Sequence, residues 1–348
     1  MEIKIGCLVE KILHEDGKAV ALQTNQGDLS LGDAKLILAM GVLPPTTLML
    51  NSFSPSSFKQ LASIGTRYTA HFMSSYVARV PLHAHIDPCN MYHDVRKKTS
   101  GNVEVAAIHI PGINLDSKNQ FHVQLSALLD KTPVEDTQNT MLHFPDVIPE
   151  PSLEQLSSSK DPQHIIFVCK TIGEVDHDNK DNWFRLNNKI ISNGVIPNGK
   201  IDITCNTTLQ VVENEVDHQL WDTMDDSTFA VLERLDSRDD PNDPCQLEYW
   251  HDSSKSWRKE RPPRDQIRHT DLVHEASTMW IGDSKSSPVG LDYRFKGVKN
   301  VYLTGAALWP TAGSWNPTCI VTALAIHLAD KLLDNEDNNH NNNNSSNS

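Results

Sequence analysis

Most of the devices by which a chain announces a ligand are missing from this sequence. It has sixteen glycines in 348 residues, and no two are spaced as GxG. The glycine turn that cradles a dinucleotide's pyrophosphate at a helix N-terminus is therefore absent. Six cysteines (Cys7, Cys89, Cys169, Cys205, Cys245 and Cys319) include no CxxC pair. That argues against a zinc cluster, and scattered thiols fit the reducing conditions of a cytoplasmic protein. Lys and Arg number 31 against 45 Asp and Glu, for a net charge of -14, and no basic cluster stands out. An electrostatic footprint for nucleic acid is thereby excluded. No apolar run reaches the roughly 18 residues that a membrane span needs. The start, MEIKIGCLVEKILHEDGK, reads as strand and turn and lacks the layout of a secretory leader.

What remains has the composition of an ordinary globular protein, with 38% hydrophobic and 22% charged residues. A chain of this length can bury one large core or two interleaved ones. Residues 2–38 read as short strands separated by the turn signals HEDGK and NQGDLSLGD. The run LILAMG predicts a buried strand ending at Gly41, followed by a helix that accepts Pro44 and Pro45 in its first turn. From about 66 to 290 the strand candidates VEVAAIHI, FHVQLSALL, HIIFVCK and GKIDITC predict an antiparallel sheet, with one helix in VDHQLWDTMDDSTFAVLERL. KTPVEDTQNTMLHFPDVIPEPSLEQLSSSKDPQ reads as a long surface excursion. The tail DNEDNNHNNNNSSNS has nothing to bury and is expected to be disordered.

The most informative stretch is GVKNVYLTGAALWPTAGSWNPTCIVTALAIHLADKL. VYLTGA predicts a buried parallel-type strand. NPTCIVTALAIHLADKLL predicts a helix with Asn316 as N-cap and Pro317 at its first position. Alanines at 323, 325 and 329 and apolar residues nearly all round predict a helix closely packed within a domain. Its N-terminus would then face the crevice beyond the strand's carboxyl end, where free amides favour an anionic group.

This stretch resembles the carboxy-terminal signature of the glucose-methanol-choline oxidoreductases, FAD enzymes that oxidise alcohols and sugars. The upstream VHEASTMWIGD is similar to the family's HxxGTxxMG, with His274, Ser277, Thr278, Ile281 and Gly282 in the corresponding places. AKLILAMGVLPPTTLMLNS and IGTRYTAHF are similar to further family segments, and the likeness thins between about 80 and 260. The resemblance implies an α/β fold in two parts. Residues 1–62 and 296–334 would be the remnant of a Rossmann-like FAD-binding domain built from both chain ends. Residues 63–295 would be an α+β substrate-binding domain with an antiparallel sheet, and 335–348 the disordered tail. It implies His274 as the base that removes a hydroxyl proton and Asn316 as the group that orients the oxygen. FAD contacts are implied at Val9, Gly41, Gly305, Ala306, Asn316, Pro317 and Thr318. Two departures stand out. The family usually carries Asp where this chain has Gly305, and its amino-terminal GxGxxG segment has no counterpart here. The chain therefore reads as the carboxy-terminal part of such an enzyme, from a truncated gene model, a split gene or a degenerate copy, with a separate amino-terminal half as a candidate partner.

Two rival readings come from other classes. LHAHIDP presents His83 and His85 at the HxH spacing of a metal-dependent hydrolase, but the chain lacks the strand–helix alternation of a barrel, and HEAST is not HExxH, so no metal is expected. The second rival is a non-catalytic binding or assembly module that has lost its flavin. NTT at Asn206 would matter as a glycosylation acceptor only in a secreted chain.

Overall fold

The computed structural model describes residues 2–81, 103–130, 152, 154–155, 158, 164–187, 206–236 and 246–345. His83 and His85, the candidate strand GKIDITC and most of the expected surface excursion lie outside them.

The first segment forms the strands β1 (Val9–Glu15), β2 (Lys18–Thr24), β3 (Leu29–Ser30) and β4 (Leu36–Leu38). The first three make an antiparallel meander in that order. α1 (Leu43–Ser52) follows with prolines in its first turn, where their missing N–H groups cost nothing. Next come β5 (Thr69–Pro81), β6 (Val103–Ile113), β7 (Gln120–Asp130), β8 (His164–Glu174), β9 (Trp183–Leu186) and β10 (Thr207–Gln210). α2 (Glu215–Asp236), β11 (Glu248–His251), β12 (Ser256–Arg258), the single turn α3 (Arg264–Ile267) and β13 (Arg268–Ala276) complete the middle. The chain ends with β14 (Val301–Leu303) and α4 (Thr318–Ser345).

The dominant element is a seven-stranded antiparallel sheet ordered β12-β11-β5-β8-β7-β6, with β13 pairing the first half of β5. Alternation along its strands gives it two unlike faces. On one, Phe72, Phe121 and Val123 are buried against Leu220, Trp221 and Met224 of α2. Phe72 stacks on Trp221, whose indole N–H donates to Ser74 Oγ at 2.8 Å. α2 starts on a reciprocal cap. Asn214 Oδ1 accepts from Asp217 N at 3.0 Å, and Asp217 Oδ2 accepts from Asn214 N at 2.9 Å. The opposite face is polar. His71 and Ser75 of β5, Lys170 and Glu174 of β8, and His122 and Gln124 of β7 share it by register.

Segments far apart in sequence meet in a second core. β4 and β14 pair in parallel, Leu38 opposite Leu303. Ile12, Met49, Phe53, Val301, Leu303 and Leu328 share one buried cluster. That cluster also takes in Ala276, Met279, Val289, Tyr293 and Phe295, from a segment the sequence assigns to the substrate part. The fold is thus mixed α/β with an antiparallel sheet.

Three expectations at the carboxy-terminal end need correction. α4 is not packed all round: Leu328 is buried, but Ile326 and Leu333 are 58% and 61% exposed, because the parallel pair and meander cover one side only. Asn316 does not cap it. The first intrahelical bond runs from Val321 N to Pro317 O, which puts Pro317 at the cap and Asn316 one residue outside. The helix backbone also continues to Ser345 into the asparagine-rich tail, since a nucleated helix gains one hydrogen bond with each residue added. No described helix is long and apolar enough to cross a membrane.

Candidate functional site

The two motifs singled out in the sequence are zipped together. Ser277 N, Met279 N and Ile281 N donate to the carbonyls of Ala306, Ala307 and Leu308 at 3.2, 2.9 and 2.8 Å. The Ser277 hydroxyl donates to Trp309 O at 2.5 Å, and the Thr278 hydroxyl meets that of Thr46 on α1 at 2.7 Å. Ser277 therefore fastens the end of β13 against the turn after β14, and Thr278 fastens it to α1.

His274 stands just before this zipper on an irregular stretch. The β13–β5 register shifts between His269 and Val273 and again between Val273 and Ala276. His274 and Ser277 have φ of 61° and 70°, in the left-handed region that ordinary residues avoid. Such bulges re-aim side chains and recur beside active sites. Here the bulge aims the half-buried His274 ring at His71 of β5, with the rings T-shaped and their centroids 5.0 Å apart.

The hydrogen bonds of this pair determine its protons. His71 Nε2 lies 3.2 Å from Ala312 O and 3.1 Å from Gly313 O. Carbonyls only accept, so that nitrogen carries the hydrogen. Burial, and then the neighbouring His274, push the His71 pKa down to about 4, so the ring is neutral near pH 7 and its Nδ1 is bare. Nδ1 of His71 and Nδ1 of His274 are 2.9 Å apart. The bond then runs from the His274 Nδ1–H to His71, and His274 Nε2 is left with a free lone pair. Burial, with the positive charge of Lys170 second, lowers the pKa of His274 as well.

Residues 311–316 are clamped onto the polar face of the sheet at several points. Besides the two His71 contacts, Gly313 N donates to Glu174 Oε2 at 3.0 Å, and Gln120 N donates to Glu174 Oε1 at 3.2 Å. Burial raises the pKa of this carboxyl. His122 Nδ1 bonds Ser314 O, and its ring lies parallel to Trp315, centroids 4.7 Å and planes 6° apart. His109 stacks on Trp315 from the same side of the sheet. Burial lowers the His122 pKa to about 4, and its Nε2 is buried without a partner among the described residues.

The remaining expected site residues fall around this clamp. Asn316 is exposed at its end, and no described residue bonds its amide. Pro317 is partly buried and Thr318 exposed, so the amides that open α4 are accessible. Gly41 and Gly305 follow the carboxyl ends of β4 and β14. A Cβ on Gly305 would sit 3.4 Å from Gly41 O, and φ there is 99° with ψ -178°. Only glycine adopts that backbone readily, which gives the departure from Asp at this position a conformational reason. Ala306 serves the zipper through its carbonyl. Val9 opens β1 and packs against the second core.

Sequence reasoning missed His122, Glu174, Trp315 and Lys170 as site residues, and it gave His71 of IGTRYTAHF, which lies in β5, no role in the site. Strand alternation over FHVQ and TIGE was the available signal, because it puts those polar side chains on one face.

These residues match a flavin only in part. The open amides of α4, the bare backbone at Gly41 and Gly305, and the buried Thr304 Oγ1, which lacks a partner among the described residues, are groups that the edge of a flavin can meet. Among the described residues nothing forms a cradle for its pyrophosphate.

Residues 215–325 match the family model described as GMC oxidoreductase. No curated protein matches the chain. Among solved structures, the chain is similar to pyridoxine 4-oxidase from Mesorbium loti at 13% identity and TM-score 0.48, covering 94% of this chain and 57% of that one. It is also similar to an FAD-dependent oxidoreductase from Chaetomium thermophilum at 9% identity and TM-score 0.51, covering 95% and 61%. The chain thus spans about three fifths of the length of those structures. The family match is confined to residues 215–325, over which the chain is similar to the carboxy-terminal part of the glucose-methanol-choline oxidoreductases.

Proposed function

We propose that this chain forms the substrate side of an FAD-dependent oxidoreductase that acts on a CH–OH group of an alcohol or sugar, with His274 as the base. The observation that carries this reading is the Nδ1–Nδ1 contact of His71 and His274, which leaves His274 Nε2 as a free lone pair at the edge of a polar sheet face. An alcohol hydroxyl that donates to Nε2 loses its proton to that atom as the carbon is oxidised. A base so positioned contributes roughly 10² to 10⁴ in rate. His71 keeps the His274 lone pair on the outward nitrogen and retains its Nδ1 contact when His274 becomes positive. Asn316, with its amide uncommitted, orients the substrate oxygen. FAD, held in part by the α4 amides and the backbone at Gly41 and Gly305, would supply the hydride acceptor. The amides of Thr318 and Cys319 favour negative charge near the α4 N-terminus. On this reading residues 1–62 and 296–334 are part of the FAD-binding domain and 63–295 bind substrate, while the pyrophosphate cradle comes from an amino-terminal flavin-binding portion, on this or a second polypeptide.

The missing cradle favours a second reading, a binding or assembly module without flavin chemistry. One experiment separates the two. With the chain complemented by a flavin-binding half and supplied with a panel of alcohols and sugars, flavin reduction is followed by rapid mixing. The His274→Ala variant is expected to be slower by about 10² or more. Rates within threefold of wild type would remove His274 from the chemistry, and an inert complex that binds the panel would favour the module.

A further inference from the structure

The polar sheet face continues beyond the histidine pair into a cavity of about 360 Å³, lined by Met73, Ser75, Lys170, Gln266 and His269 among others. Lys170 on β8 stands directly opposite Ser75 on β5, and His71 lies two same-face positions further along the same strand. Four residues of strand span about 13 Å, and a lysine side chain reaches about half of that. Lys170 therefore lies between the cavity and the base. It is half-buried, and no described residue gives it a hydrogen bond or an ion pair.

Of the carboxylates nearby, the exposed Glu275 acts on His274 with the opposite sign to Lys170 but makes no ion pair with the lysine, and the others are held by other donors. Asp252, which also lines the cavity, accepts from Trp250 Nε1 at 2.9 Å and faces Lys255 Nζ at 3.5 Å. Glu174, on the same sheet face, holds the amides of Gly313 and Gln120. His71 and His122 are neutral near pH 7. Lys170 is thus a positive charge on the cavity wall without a counter-ion among the described groups, and an anionic group placed in the cavity would supply one. The same cavity holds a buried acceptor without a partner, Gln266 Oε1.

We propose that this cavity is a subsite for an anionic substituent of the substrate, a carboxylate or a phosphate, with Lys170 as its counter-ion and Gln266 Oε1 accepting from a neighbouring hydroxyl. The proposal rests on the oxidoreductase reading and narrows it: the substrate is a hydroxylated acid or a sugar phosphate. It also ties binding to chemistry. The Lys170 charge disfavours protonation of both His274 and His122. An anion seated on Lys170 cancels that field, so the substrate itself strengthens the base that is to take its proton.

The test does not require turnover. With the histidine rings of the full chain isotopically labelled, the pKa of His274 is measured by NMR in chloride, in inorganic phosphate and in acetate at matched ionic strength. Phosphate, acetate or both are expected to raise it by about 0.5, and the stronger of the two identifies the substituent. Lys170→Gln, checked for fold by its amide spectrum, should raise the His274 pKa without added anion and abolish the response. His274 unmoved by either anion in the wild type would overturn the proposal, as would an anion response that survives in Lys170→Gln. Loss of flavin reduction in His274→Ala bears on the base alone, so failure of the subsite and failure of the oxidoreductase reading are distinguishable.

Discussion

His71 Nδ1 and His274 Nδ1 face each other at 2.9 Å, while the far nitrogen of His71 rests on the carbonyls of Ala312 and Gly313. One imidazole thus does two separable jobs. It fixes which nitrogen of His274 is bare, and it anchors the segment that leads to Asn316.

The two jobs come apart by substitution at His71. In shape, asparagine reproduces the Nδ1 position and glutamine the Nε2 position. His71→Asn should keep an acceptor for the His274 Nδ1–H but release the 312–313 carbonyls. Flavin reduction by a complemented chain would then keep its pH profile, while proteolysis within 310–316 quickens. His71→Gln should do the reverse, holding the segment and disturbing the pH profile. Identical behaviour of the two variants in both measurements would dissolve the two-job account.

A pH dependence of stability follows from the two buried histidines. His71 and His122 both have pKa lowered to about 4 from an unfolded value of 6.5. A depressed histidine favours the folded state above the unfolded pKa, and that contribution is lost as pH falls through 6.5 towards 4. In this window the unfolded chain binds the extra protons, so each ring can cost up to about 1.4 kcal/mol per pH unit. Urea titrations should show stability falling steeply from pH 6.5 to 4.5. His122→Asn, which keeps a donor for Ser314 O, should flatten that fall, the remainder coming from His71 and from the lowered His177 and His274, against an opposing contribution from the raised Glu174. An unchanged slope in His122→Asn would mean that this ring is already protonated in the folded state.

Legibility differed between the two cores for a physical reason. Strand and helix periods in AKLILA, VYLTGA and VDHQLWDTMDDSTFAVLERL predicted elements that the structure contains, because burial on one face dictates such patterns locally. His274 was legible through its motif. The clamp was not, because His71, His122, Glu174 and Gly313 lie on different strands and turns, and only the register of the large sheet brings them together. The α4 cap was misread because Asn-Pro fits two registers of a helix start, and the sequence alone does not say whether Asn316 or Pro317 closes the first turn.

Asn316 gives a direct measure of that distinction. A capping asparagine replaced by alanine costs about 1 kcal/mol. Asn316 is exposed and outside the first turn, so Asn316→Ala should change unfolding free energy by less than about 0.5 kcal/mol, while reduction of a complemented flavin falls at least tenfold. A loss of stability with intact reduction rates would return it to the role of a cap.

The last expectation concerns the face left open by the parallel pair. Ile37 and Met40 near β4 are 45% and 40% exposed, and Ile326 and Leu333 of α4 are more exposed still. Residues 293–295 bridge the outer edge of β14, but the outer edge of β4 has no strand partner among the described residues, and apolar residues spread over a strand and a helix in this manner mark a surface built to be covered. With no GxG turn in the sequence, the chain alone should bind FAD weakly, purify without yellow colour and self-associate. Ile326→Glu with Leu333→Glu should relieve the association without lowering the melting temperature, since neither side chain is buried. A flavin-binding half added in trans should restore colour to the wild type and fail to do so with the double variant. Flavin absorbance after extensive dialysis, read beside sedimentation, decides the matter. One tightly held FAD per monomeric chain, with no second polypeptide present, would show that this face is complete as it stands and that the pyrophosphate is held by residues outside those described.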